Sequence, residues 1–430
     1  MDNDNGHVRE PETVDTADQS WLKRLGPGLI TGAADDDPSG IGTYTQTGAQ
    51  FGFGLLWTVL LTYPLMVAIQ MISARIGRVT GKGLASNIRQ FAPRWVAVLL
   101  VLLLVVANTI NIAADLAAMG TSVRLVVGGP QQLYVVVIGV ASVVLQVFVP
   151  YERYAQILKW LTLVLFSYVA VALVVPVDWR EVATAIVRPH ATLSAAYLTA
   201  VVAVFGTTIS PYLFFWQASQ EVEEMRAAPG DAPLKRVPQQ ATAQFARISA
   251  DTWTGMAVSN GIAFFIMLTA ASTLYSHHVE IKTSADAARA LAPIAGKWAS
   301  HVFALGILGT GLLALPVLAG SAAYGMAGVF RWRSSLALRL LLAREFYSVI
   351  AVAILGGAAM TFFHFDPVKA LYWSAVINGV AAVPVVIVVM LMGTNARVMR
   401  EFAVTGWLRT AGWAVAGIMA VAAAGTLLPG

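Results

Sequence analysis

Apolar runs of about 18–25 residues recur from Gly28 to the C-terminus, separated by short polar connections. A helix needs about 20 apolar residues to cross a bilayer. Eleven such runs are counted, centred near residues 38, 63, 107, 141, 167, 208, 264, 312, 355, 381 and 419. The pattern predicts an all-α polytopic membrane protein of about eleven transmembrane helices. The longest polar stretches, 221–247 and 277–297, are helix-sized connections, so no soluble domain fits between the spans. Two runs are interrupted near their middles. The first breaks at Asp35-Asp36-Asp37-Pro38-Ser39-Gly40, the sixth at Ser210-Pro211-Tyr212. The two cross in opposite senses, as expected when five helices form a unit and the second unit is inverted, with the eleventh helix an extra. Paired interruptions at matching places in two halves point to a transporter's midplane site.

Composition and charge sharpen this picture. The chain is 57% hydrophobic and 12% charged, against about 25% charged in ordinary soluble domains. With the N-terminus inside, 21 of the 28 Lys and Arg fall in cytoplasmic loops, among them Arg75, Arg78, Lys82, Arg153, Arg247, Arg331 and Arg400. The other side receives seven: Arg124, Arg180, Arg188, Lys282, Arg289, Lys297 and Lys369. That is the positive-inside asymmetry, and it predicts a multi-pass protein of the plasma membrane with a cytoplasmic N-terminus. The basic balance therefore reports orientation, and no nucleic-acid partner is implied. The chain has no cysteine, which excludes thiolate metal sites and disulfides. Residues 1–21 are polar and acidic, lack the apolar core of a signal peptide, and are expected to be a disordered cytoplasmic tail. Residues 22–430 are expected to form one transmembrane domain.

An Asp at the bilayer centre costs roughly 2.5–3.5 kcal/mol on insertion scales, and membrane segments keep such acids mainly along ion or substrate paths. Asp37, immediately before Pro38, is the best placed cation ligand. Asp35 and Asp36 point about 100° and 200° away around a helix and are expected to line its approach. Across the site, Thr207 and Ser210 lie three apart on one face and offer hydroxyls. These are hard oxygen donors, suited to Mg²⁺, Mn²⁺ or Ca²⁺. In the third run Asn108, Asn111 and Asp115 form one helical stripe, read as a water-lined path. Gln46 sits on the outer half of the first run and would line an external entrance. Asn260 and Asn378 read as packing residues, and Glu221, Glu223 and Glu224 as a solvated helix end. None of the six histidines lies at mid-membrane; His277-His278 is an external pair without an assigned role.

Several blocks resemble the NRAMP family of divalent-metal transporters: Gly26-Pro27-Gly28 followed by Asp37-Pro38, Thr43, Gln46 and Gly48-Ala49; Ala74-Arg75-Ile76-Gly77-Arg78-Val79-Thr80-Gly81-Lys82; and Asp115-Leu116-Ala117. The resemblance implies a LeuT-type 5+5 inverted-repeat fold with helices 1 and 6 broken, and alternating access. It also places the family's metal-binding asparagine on Gly40 and its motif glycine on Ser39. The family's Met-Pro-His falls on Ser210-Pro211-Tyr212, its second histidine on Gln217, and the acid closing the third-span motif on Ala118. Asp37 survives, while the thioether, the amide and several proton-pathway groups are replaced. Loss of a soft ligand hardens the site, and Mg²⁺ usually keeps several waters in protein sites. The pattern looks like the NRAMP-related magnesium transporters.

The expected metal ligands are thus Asp37, Gly40, Thr207 and Ser210, with Asp35, Asp36, Gln46, Asn111, Asp115, Tyr212 and Gln217 on the pathway. The expected substrate is Mg²⁺ or Mn²⁺, moved with weak or absent proton coupling; no cofactor is implied, the lipid bilayer is the expected surrounding, and the residues name no protein partner. The alternatives are a proton-coupled Mn²⁺/Fe²⁺ carrier of the same family and a small-organic-solute symporter on the same fold. A membrane enzyme holding Mg²⁺ against a diphosphate would need a second acidic cluster to complete the metal clamp. No other span has one.

Overall fold

The computed structural model describes residues 31–32, 34–149, 163–189, 194–279, 281, 283–363 and 366–426. The tail at 1–21, Gly26-Pro27-Gly28, Arg153, Lys159, His190, Lys282 and His364 lie outside the described residues. Among the described residues every regular element is helical.

Residues 31–32 and 34–35 are helical and lead to a break at Asp36 and Asp37. Helix α1 (Pro38–Phe51) follows, then a 3₁₀ turn at Gly52–Leu55, then α2 (Leu56–Thr80). Next come α3 (Leu84–Phe91), α4 (Arg94–Val127) and α5 (Gln131–Phe148). α6 (Phe166–Val174) and α7 (Trp179–Val187) meet at a sharp bend, 111°. α8 (Ala195–Thr208) and α9 (Pro211–Ala227) are the two halves of the second interrupted span. α10 (Ala241–Thr273), α11 (Ala299–Phe330), α12 (Arg344–Met360), α13 (Pro367–Gly393) and α14 (Gly406–Gly425) complete the chain.

Eight stretches among the described residues are long and apolar enough to cross a membrane, or nine with the bent α6–α7 pair. The eleven runs read from the sequence fit these stretches. Pro38–Thr80, 43 residues, is long enough for the two runs centred near 38 and 63. The run near 355 forms α12, 17 residues long, within the range that spans a bilayer.

Two helix sets emerge from the packing. α4, α5, α11 and α12 all touch one another. α1, α2, the α8–α9 pair and α10 form the second set, and α13 packs against members of both. Helices in lipid gain no hydrophobic stabilisation from one another, so close backbone approach at small residues must hold them. The crossing of α8 and α13 shows this: a Cβ on Gly206 would lie 2.0 Å from the Ala375 carbonyl oxygen and 2.5 Å from the Gly379 nitrogen. Only glycine permits that contact. It fixes the α8 side of the second break against α13.

Candidate metal-ion site

Both interruptions have the same local construction. Proline occupies the first turn of the following helix, where its missing N–H costs nothing and its φ suits the helix. At the first break Pro38 opens α1 and Asp37 is the N-cap, with Oδ1 accepting from the Gly40 N–H at 2.7 Å. Such a cap satisfies one of the orphan donors at a helix start. At the second, Pro211 opens α9 and Ser210 is its N-cap residue. Ser210 Oγ turns back to donate to the carbonyls of Gly206 (2.5 Å) and Thr207 (3.0 Å).

Asp37 is the centre of a polar network drawn from four helices. Its Oδ2 accepts from Asn111 Nδ2 on α4 at 2.9 Å and from the Tyr212 hydroxyl on α9 at 3.3 Å. Asn111 Nδ2 also reaches Asp115 Oδ2 at 3.4 Å, and Asn111 Oδ1 accepts from Asn378 Nδ2 on α13 at 3.5 Å. Asp37, Asn111, Asp115 and Asn378 are all buried. Asp115 Oδ1 and Asn378 Oδ1 have no hydrogen-bond partner, so acceptor oxygens are available beside the carboxylate. A buried acceptor without a partner carries a desolvation cost of about 1–3 kcal/mol, which a cation or its water shell would relieve.

Gly40 joins the two breaks. A Cβ there would sit 3.2 Å from Thr207 Oγ1 and 3.5 Å from Asp37 Oδ1. Gly40, expected among the ligands, instead permits close approach of the two breaks, and its N–H is held by Asp37, so it presents no side-chain oxygen to an ion. Ser210 stands one residue before α9 with its proton engaged by backbone, leaving only oxygen lone pairs to offer.

Asp35 and Asp36 face elsewhere. Ser259 Oγ on α10 lies 2.7 Å from Asp35 Oδ2 and 3.2 Å from Asp36 Oδ1. Among the described residues no ion pair involves Asp35, Asp36, Asp37 or Asp115. Nor does any group of three or more His, Asp or Glu among them converge on one metal-sized point. An ion at Asp37 would thus meet that carboxylate, neutral oxygens and its own water, with the Asp115 carboxylate on the far side of the Asn111 amide. That arrangement leaves negative charge uncompensated at the site while supplying few direct ligands.

The remaining expected residues are spread along the first and sixth spans. Gln217 accepts from the Thr31 hydroxyl at 2.7 Å, joining the short helical stretch before the first break to α9. It makes no hydrogen bond to Asp37. Gln46 lines a cavity of about 520 Å³ at the end of α1, with Ala49, Gln50, Tyr275 and His278. Asn108 turns from the expected stripe to donate to Leu318 O and Ser321 Oγ on α11, both at 2.8 Å. Asn260 packs, donating to Val59 O at 2.8 Å, as read. Asn378 does not merely pack; it joins the Asp37 network through Asn111. A lone Asn in an apolar run has no local signal that separates these fates.

The solvated helix end expected at Glu221, Glu223 and Glu224 is also corrected. Glu221 is fully buried, and Arg247 on α10 pairs with it at 2.5 Å and with Glu224 at 3.0 Å. Glu223 accepts from the Tyr324 and Ser335 hydroxyls. Three acids on one helix found partners on neighbouring elements, which charge runs alone do not reveal. Arg247→Ala leaves the Glu221 carboxylate buried without its cation, a loss of roughly 3 kcal/mol for a buried pair. The expected readout is a lower melting temperature in detergent, largely restored by Glu221→Gln in the same chain; an unchanged melting temperature in the single variant would refute it.

Residues 28–429 match the family described as natural resistance-associated macrophage protein-like, Nramp. The chain is 28% identical over 389 residues to the divalent metal cation transporter MntH of Acidiphilium cryptum (strain JF-5), covering 89% of this chain and 84% of that one. It is also 28% identical over 420 residues to MntH of Klebsiella pneumoniae (strain 342), covering 93% and 92%. Among solved structures, the Eremococcus coleocola manganese transporter in complex with an aromatic bis-isothiourea substituted compound superposes with a TM-score of 0.77 at 19% identity, over 97% of this chain and 88% of that one. Mhp1, a nucleobase-cation-symport-1 family transporter, superposes at 0.59 with 13% identity, over 94% and 92%. The fold is the inverted-repeat transporter fold with broken first and sixth helices.

Proposed function

The chain belongs to the natural resistance-associated macrophage protein-like family, and from that premise we propose that it carries Mg²⁺ and Mn²⁺ inward across the plasma membrane by alternating access, with proton coupling weak or absent. The N-terminus is cytoplasmic in this reading, as the loop charges require. The relatives' names support a divalent metal cation as substrate. One observation carries the choice of ion. The groups hydrogen-bonded around Asp37 are the Asn111 and Asn378 amides and the Tyr212 hydroxyl, with no sulfur or imidazole in the network among the described residues. Hard oxygens without a thioether do not favour softer metals. A site with few direct protein ligands suits an ion that keeps part of its water shell.

The rival within the family, a proton-coupled Mn²⁺ carrier, draws on Asp115. This second buried carboxylate shares the Asn111 amide with Asp37 and is a natural proton acceptor. Uptake of Mg²⁺, Mn²⁺, Ca²⁺ and Cd²⁺ into proteoliposomes, with internal pH followed in parallel, separates the two. The proposal expects Mg²⁺ and Mn²⁺ entry with little acidification. Mn²⁺ entry tightly coupled to acidification, with no Mg²⁺ flux, would return the protein to the proton-coupled branch.

Ser210→Met places a thioether at the second break. The expected outcome is a shift in competition assays toward Cd²⁺ and Mn²⁺ at the expense of Mg²⁺, since sulfur prefers softer ions. Unchanged selectivity would separate Ser210 from ion choice.

A further inference from the structure

Three arginines of the basic loops meet at one place. Arg89 stands in the last turn of α3, Arg94 opens α4, and Arg331 follows α11. Packing brings them together. A Cβ on Gly328 of α11 would lie 2.8 Å from Ala85 Cβ and 2.9 Å from the Ser86 nitrogen of α3. Arg331 and Arg89 each follow that contact by about one helical turn. A Cβ on Gly325 would lie 3.3 Å from the Val101 and Leu104 side chains of α4. The two helices therefore run side by side to Arg331 at the end of one and Arg94 at the start of the other. No ion pair among the described residues involves any of the three. Desolvation, and after it the like charges of Arg331 and Arg94, hold the Arg89 guanidinium below its ordinary pKa.

Two of these arginines are placed against local preference. A cation at the first position of a helix faces the positive end of its dipole, yet Arg94 is there, after a Pro93 that gives α4 no side-chain cap. Arg331 adopts φ 63°, the left-handed conformation that usually falls to glycine after a helix and disfavours residues with a Cβ. Local rules are broken mainly where function requires it. The C-terminal ends of α3 and α11 carry about half a negative charge each, which leaves about two of the three positive charges uncompensated.

Next to Arg94, α4 presents an apolar stripe. Trp95, Leu99, Leu102 and Val106 recur at i, i+4, i+7 and i+11, and all four are exposed. The stripe is about 16 Å long, close to half of the roughly 30 Å hydrocarbon thickness of a bilayer. Guanidinium forks match phosphate oxygens. A cationic head above one leaflet's depth of apolar side chains is complementary to an anionic phospholipid.

We propose that Arg89, Arg94 and Arg331 hold the phosphates of an anionic phospholipid of the cytoplasmic leaflet, with its acyl chains along Trp95, Leu99, Leu102 and Val106. The leaflet follows from the orientation read from the loop charges; the site does not depend on which ion is carried. The charge left over suits a headgroup with two phosphates, so cardiolipin is the probe of choice. Because α3 links α2 to α4, one helix set to the other, the bound lipid ties that connection to the ends of α4 and α11.

Native mass spectrometry of the full chain, purified in detergent and offered cardiolipin or phosphatidylcholine, tests the site. Wild-type protein is expected to retain cardiolipin in preference to phosphatidylcholine. Arg89→Gln, Arg94→Gln and Arg331→Gln together are expected to weaken cardiolipin binding roughly a hundredfold, since each basic residue near an anionic surface contributes about five-fold. A charge-matched control carries Arg339→Gln, Arg344→Gln and Arg397→Gln, three exposed arginines of the same side without ion pairs among the described residues, and is expected to bind as wild type does. Arg94→Gln alone guards against misfolding, because a helix start does not need a cation; a loss of about five-fold is expected. Equal losses in the triple variant and the control would reduce the effect to general charge attraction and overturn the site, as would equal retention of the two lipids by wild type. Binding of inorganic pyrophosphate that depends on these arginines, without retention of cardiolipin, would overturn the lipid assignment.

Discussion

Asp37→Ala is expected to reduce Mg²⁺ and Mn²⁺ uptake to the level of empty liposomes, in a protein that still elutes as a folded species. The carboxylate has two duties that the substitution separates. As the N-cap of α1 it accepts from Gly40, a contribution of about 1 kcal/mol that a helix packed on several neighbours can lose. As a charge it is irreplaceable: a divalent ion about 4 Å from a unit negative charge interacts by roughly 8 kcal/mol at an effective dielectric near 20, several times the worth of the cap. Asp37→Asn makes the distinction sharper, because an amide oxygen can still cap the helix while the charge is gone. Calorimetric titration with Mn²⁺ should show no binding to either variant. Wild-type-like binding by Asp37→Asn would mean that the ion is held elsewhere.

Gly206→Val is expected to have the largest effect on folding. A side chain at this position would have to occupy the space of the Ala375 carbonyl and the Gly379 backbone. Neither is a flexible side-chain tip that can swing aside, so α8 and α13 would separate along their crossing. In lipid that contact has no hydrophobic substitute. The expected result is loss of the monodisperse peak in detergent size-exclusion, with protein degraded or aggregated on expression. Gly206→Ala should be nearly as severe, because the clash begins at Cβ. A stable Gly206→Val protein with normal uptake would show that the crossing is looser than its geometry requires.

Much of the architecture was legible in the order of residues. Apolar runs located the helices, and proline after Asp37 and after Ser210 located both breaks, because proline removes a donor wherever it falls. Asn111, Asp115 and Tyr212 do join the Asp37 network, and the sequence pointed to them through a shared helical face and a place after the second break. What could not be read were partnerships between residues far apart in the chain. Ser259 claims Asp35 and Asp36 from α10, and Asn378 reaches Asn111 from α13. Each looks like an ordinary polar residue in its own run. Glu221 was misjudged for the same reason, since polarity near a helix end reads alike whether water or Arg247 satisfies it.

The 2.9 Å bond between Asn111 and Asp37 has a mechanical corollary. Asn111 rides on α4, in the set whose four members all touch, whereas Asp37 opens α1 in the other set. One amide–carboxylate contact therefore straddles the seam between two bodies. Sliding either body past the other by more than about two ångströms carries that contact beyond hydrogen-bonding reach. An ion drawn to Asp37, as proposed above, would thus be felt by the same pair of atoms that registers such a displacement.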